Sequence, residues 1–225
     1  MPAEPTFAIE ALLEELGFVR VASKQLARRA LVEAGLTNDR KQNMAIAKRE
    51  AAIAAIEDRV ARVCSGEACR NALDASGPNG PRRVVEVASE GCEVCGGSDT
   101  ARAAQQMVQD LAASGRSRLL VIGGSPNART TLRNLLRGTA VEVEFVEGNR
   151  PTGAKRAKDL ADRADVVAIW ANTQLDHKVS MPFQNAAPEK TFTCARRSVA
   201  ALADEVSRHV RSRGALRGGA AGRRR

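Results

Sequence analysis

The chain has 225 residues, of which 44% are hydrophobic and 3% aromatic, and a formal net charge of +9. That length suits one or two domains with a real core, and no apolar run approaches the ~18 residues that a membrane span needs. Tyrosine is absent and there are five Phe and one Trp, which argues against a single-strand binder built on stacked aromatic platforms. The start, Met1-Pro-Ala-Glu-Pro, lacks the basic lead and apolar centre of a secretory signal. Five cysteines, four of them in two close pairs, fit metal binding in a reducing cytoplasm better than a disulfide framework.

Residues 6–16 read as an acidic amphipathic helix ended by Gly17, and residues 22–34 as a second helix ended by Gly35. A long helix is predicted from Asn38 to Val63, with Ile46, Ile53, Ile56, Val60 and Val63 as its apolar stripe and Lys41, Lys48, Arg59 and Arg62 roughly opposite. Residues 20–49 hold eight basic side chains against Glu33 and Asp39. Such clusters attract phosphate backbones, which makes Arg28, Arg29, Lys41, Lys48, Arg59 and Arg62 the candidate nucleic-acid contacts. The segment Ala27–Asn38, with Gly-Leu-Thr before a basic helix, loosely follows a helix-turn-helix; plain helical packing accounts for it as well.

The strongest chemical signal is Cys64-x4-Cys69 followed by Cys92-x2-Cys95, with 22 residues between the pairs. Two short loops that each supply two thiolates are what a tetrahedral Zn2+ requires. Gly96 and Gly97 let backbone amides turn towards the sulfurs, and Ser98 and Asp99 cap a helix to Ser114. A strand is expected over Arg82–Ala88. Knuckle, hairpin, knuckle and helix in this order resemble a treble-clef zinc finger. Buried core cysteines or a redox pair are the plainer alternatives.

From residue 118 strands and helices alternate. Strands are expected at 118–122, 141–146, 165–170 and 190–194, with helices at 127–137, 152–163 and 196–211 and a short one near Asp176 interrupted by Pro182. This pattern predicts an α/β fold with a small parallel sheet covered on both faces, Rossmann-like or flavodoxin-like. The chain then divides into a basic helical region (1–63), a four-cysteine zinc finger and linking helix (64–115), the α/β domain (116–211) and a disordered basic tail (212–225). The motifs Val121-Ile-Gly-Gly124, Ala164-Asp-Val-Val-Ala-Ile-Trp170, Leu175-Asp-His-Lys-Val-Ser180 and Cys194-Ala-Arg-Arg-Ser-Val-Ala-Ala-Leu202 resemble a bacterial Rossmann-like domain of unknown function, over about 90 residues. The resemblance implies the fold and no activity.

Ligands of open parallel sheets bind beyond the carboxyl ends of the strands. Gly123, Gly124, Ser125, Asn172, Asp176, His177, Lys178, Arg196 and Arg197 are expected there, around a small anionic, nucleotide-like ligand. An ordinary strand-to-helix turn fits Gly123–Ser125 equally. Cys194 reads either as a nucleophile beside His177 or as a buried strand-end thiol. Three functions follow. The first is a zinc protein that binds nucleic acid as a regulator or adaptor and takes an anionic ligand or partner on its α/β domain. The second is an enzyme acting on a nucleotide or nucleic-acid end. The third is a structural subunit that forms a homo-oligomer through the α/β domain.

Overall fold

The computed structural model describes residues 5–149, 151–170 and 177–221, with residues 177–178 and 214–221 described by backbone alone. It divides into two compact units, Met1–Arg102 and Ala103–Arg225. Each is described by itself.

In the first unit, β1 (Thr6–Ala8) pairs antiparallel with β2 (Asn43–Ala45). Helices α1 (Ile9–Glu15), α2 (Val21–Glu33) and α3 (Arg49–Glu57) bury Ile9, Leu12, Leu13, Leu31 and Ile56 in one core, together with Phe18 from the α1–α2 connection. The α2 helix stops where expected: the Leu36 amide reaches back to the Leu31 carbonyl at 3.1 Å and the Gly35 amide to Val32 at 2.9 Å, closing the last turn.

The single helix expected from Asn38 to Val63 does not form. Asn38 Oδ1 accepts the amides of Arg40 and Lys41, a local bond that competes with helix. Residues 43–45 find a sheet partner in β1, and a short 3-10 turn (Ile46–Lys48) leads into α3. Beyond α3, Val60–Val63 form β3, a β-branched segment that is better buried in a ladder than in a helix. The apolar stripe is therefore shared between three elements, and Ile46, its first member, is 50% exposed.

Strand β3 pairs in parallel with β4 (Arg83–Glu86), in register Val60↔Arg83 to Val63↔Glu86. The hairpin of a treble clef is thus replaced by a crossover through α4 (Glu67–Ala72). Arg82 brings the returning chain into line. Its guanidinium donates to the carbonyls of Asp74 (2.5 Å) and Ser76 (3.1 Å) and to Glu93 Oε2 (2.9 Å).

Helix α5 (Asp99–Ala113) contains the boundary between the units. In the second unit, β5 (Arg118–Gly123), β6 (Glu142–Val146), β7 (Val166–Trp170) and β8 (Thr191–Cys194) form a parallel sheet in the order β6-β5-β7-β8. They alternate with α6 (Pro126–Leu136), α7 (Ala154–Arg163), α8 (His177–Ala186) and α9 (Val199–Ala221). Side chains of a strand point alternately to its two faces, and both faces are covered here, as parallel sheets require. Leu119, Val121, Val166, Ala168 and Trp170 meet α6, α9 and Met107 and Leu111 of α5. Leu120, Ile122, Val167 and Ile169 meet α7 and α8. The chain is an α/β protein, as its pattern predicted. Two local expectations change: α8 continues through Pro182, and the backbone of α9 stays helical to Ala221.

Candidate metal centre

Four local structures each deliver one thiol. Cys64 follows the last residue of β3, Cys69 lies in α4, Cys92 follows a 3-10 turn (Ser89–Gly91), and Cys95 sits just before α5. Their four Sγ atoms lie within 4.8 Å of one another, and Cys64 Sγ is 3.9 Å from Cys95 Sγ. A tetrahedral zinc with Zn–S bonds of about 2.3 Å sets its sulfurs roughly 3.8 Å apart, so the cluster has the dimensions of a metal site before any ion enters. All four residues are 0–6% exposed, and none of the five cysteines is in a disulfide.

The backbone around the second pair favours thiolate. Burial pushes the Cys92 thiol up, but the backbone amides of Cys95, Cys64 and Val94 outweigh it and bring it down to about 7. The Gly97 amide does the same service for Cys95, although burial leaves that thiol raised. Gly96 and Gly97 have φ +51° and +80°, left-handed conformations that other residues rarely adopt. Burial and the neighbouring thiols raise Cys69. A dication held by the four sulfurs would relieve this crowding, because thiolate ligands bind metal in their deprotonated form.

Two further residues shape the site. A Cβ at Gly66 would lie 3.4 Å from Cys64 Sγ and 3.8 Å from Cys69 Sγ, so its absence leaves the sulfurs room. Arg102, paired with Asp99, carries a positive charge that interacts favourably with the Cys64 and Cys95 thiolates. Ser98 Oγ accepts the Ala101 amide at 3.2 Å, the cap expected for α5. The sequence signal for Arg102 was its position one turn after Asp99, beside the second cysteine pair.

The candidate nucleic-acid residues are not gathered on one helix. Arg28 is turned inward to the carbonyls of Asn38, Asp39 and Lys41. Arg62 lies in β3 between Glu57 (3.3 Å) and Glu93 (3.5 Å) with its side chain 13% exposed. Arg59 donates to the Ala55 carbonyl at 3.3 Å. Arg29, Lys41 and Lys48 are exposed.

At the carboxyl ends of the second unit's strands, Ser125 caps α6 by accepting the Ala128 amide at 3.3 Å, with Pro126 in the first turn. Gly123 ends β5, and Gly124 lies flat against the Trp170 ring. Trp170 Nε1 donates to the Arg196 carbonyl at 2.9 Å, and Arg196 pairs with Glu205 at 3.0 Å. Arg197 is exposed. His177 and Lys178 open α8 in the backbone trace, while Asn172 and Asp176 lie outside the described residues. Cys194 is 1% exposed, and burial raises its thiol, which keeps it protonated and suits a packed strand end.

Among the described residues, no helix is long and apolar enough to cross a membrane. No family model, curated protein or solved structure matches the chain. Fold and site together define an α/β protein with a buried four-thiol cluster able to hold a metal ion in its first unit and a four-stranded parallel sheet in its second.

Proposed function

We propose that this is a cytoplasmic zinc protein with a binding role, a regulator or adaptor that recognises phosphate-bearing partners. The observation that carries the metal part is the closure of the centre. Four buried thiols within 4.8 Å of one another would fill every position of a tetrahedral ion. Hydrolytic zinc sites keep one position open for water, whereas closed all-sulfur sites are structural. All-thiolate tetrahedra suit zinc and iron–sulfur chemistry above other divalent ions.

Nucleic acid is the first class of partner. The net charge of +9 supports it, as do the exposed Arg29, Lys41 and Lys48 of the first unit. Phosphate-bearing small molecules are the second class, at the second unit. Cys194 is buried, and burial raises its thiol, which favours binding over nucleophilic catalysis there.

Elemental analysis of full-length protein purified without chelator tests the metal, with about one zinc per chain expected; absence of stoichiometric metal rules it out. Fluorescence anisotropy with a labelled oligonucleotide tests the partner. Affinity should fall steeply between about 50 and 200 mM salt, because neutralised phosphates release counterions. Affinity indifferent to salt ends the nucleic-acid reading.

A further inference from the structure

A groove of about 510 Å³ runs between α7 and α8. Ala154 and Lys158 line it from α7, and Met181, Pro182, Asn185 and Ala186 from α8. Its volume is within the range of small-molecule sites. Met181 is 50% exposed on its wall, on a helix that buries Val179 and Phe183 on its other side. Pro182 adds a flat apolar ring and no backbone N–H. Asn185 is the groove's amide and offers both a donor and an acceptor.

Lys155 lies one turn before Lys158 on the same side of α7. Both lysines are exposed, and neither is ion-paired among the described residues. Lys155 belongs to the first turn of α7, which has no acidic residue, although cations there oppose the helix dipole.

We propose that the α7–α8 groove binds a nucleoside phosphate, with Lys155 and Lys158 on the phosphates, Met181 and Pro182 against the base and Asn185 on the base edge. This deepens the phosphate-binding part of the function proposed above and rests on it. An inorganic phosphate would leave the apolar wall unused, and an apolar ligand would leave two lysines without counter-charge. A base has a flat face for the wall and a hydrogen-bonding edge that an asparagine amide can match with two bonds. The same chemistry is presented by a free nucleotide and by a nucleotide within a strand.

The test uses the full-length protein with ATP, adenosine, tripolyphosphate and a ten-residue single-stranded oligodeoxyadenylate, with binding measured by calorimetry. ATP should bind more tightly than adenosine or tripolyphosphate. The double variant K155E/K158E should weaken ATP by about tenfold or more, a loss of roughly 1.4 kcal/mol. M181A and N185A should weaken ATP and leave tripolyphosphate unchanged. All four positions are exposed, and circular dichroism checks that the variants fold. If the natural source is a strand, the oligonucleotide displaces ATP, and its salt slope falls by about one for each lysine removed. If the source is a free nucleotide, the oligonucleotide does not compete. ATP affinity retained in K155E/K158E and in M181A overturns the groove assignment alone. Wild-type protein that binds none of the phosphate-bearing probes overturns the function proposed above as well.

Discussion

At Cys92 two opposing effects meet. Burial favours the neutral thiol, and three backbone amides favour the thiolate and win. A sulfur held in this way is ready for a cation, and its neighbours gain most from one. Replacing Cys64 or Cys92 by Ser leaves three thiolates, so the zinc-to-protein ratio measured by elemental analysis should fall well below that of the wild type. Cys194→Ser, a change in the second unit, should leave the ratio unchanged. Asp165 offers a residue-scale test of the other unit. Burial raises its carboxyl, but the Ser117 and Arg118 amides, at 3.0 and 2.9 Å, together with the charges of Arg118 and Lys190, lower it further than burial raises it. Its folded value is therefore below its unfolded value of about 3.9. The stability it contributes is fully present above that unfolded value and is lost as pH falls through the folded one. Asp165→Asn should flatten this part of the acid limb in urea titrations between about pH 5 and 2, a range set by the same reasoning. An unchanged limb would mean that the two amides do not hold the charge.

Single residues also decide where whole elements lie. A Cβ on Gly124 would lie 2.4 Å from Cε3 and 2.8 Å from Cζ3 of Trp170, and the backbone there has φ +75°. Gly124→Ala should therefore push apart the ends of β5 and β7 and cost about 1–3 kcal/mol, the usual range for overpacking. Trp170 is the sole tryptophan, so its fluorescence on urea unfolding reads this directly. A midpoint within error of the wild type would show that the ring moves aside freely. In the first unit Arg82 does comparable work for β4. With its side chain 14% exposed, it ties the 74–76 loop to Glu93. Arg82→Ala should raise hydrogen exchange over residues 74–86, because two loop carbonyls and the Glu93 carboxylate lose the donor that ties them together.

For the whole molecule, all four thiols belong to the unit Met1–Arg102. The β3–β4 ladder has four paired positions, and small sheets of this size need other support to persist. A metal bound by the four thiols would supply such support, because its binding free energy is folding free energy. Chelation should therefore lower amide protection over residues 60–97 while the β5–β8 ladders keep theirs, as read by hydrogen-exchange mass spectrometry. Equal loss in both segments would show that the metal stabilises the chain as one cooperative block. Protection unchanged by complete metal removal would show that the thiol cluster is ordinary core.

The sequence by itself determined whatever depends on spacing along the chain. The two cysteine pairs, the Gly96–Gly97 knuckle, the Ser98 and Ser125 caps and the Gly35 stop are local chemistry, and each is found where its residues placed it. The α/β class was legible too, because a buried parallel strand is a short apolar run and its neighbours are amphipathic helices. Only the tertiary structure decided the fate of residues 38–63. Their helical periodicity was real, but pairing of residues 43–45 with β1 and of 60–63 with β4 overrode it, since ladder partners far away in the chain leave no local mark. The same non-local pairing turned an expected hairpin into a parallel crossover. It also set partners that the sequence does not show beside two of the expected phosphate contacts, loop carbonyls at Arg28 and Glu57 and Glu93 at Arg62. The α7–α8 groove belongs to this second kind. Lys155 and Lys158 are unremarkable on an exposed helix until α8 is laid beside them, because a groove is made by two elements and is written in neither.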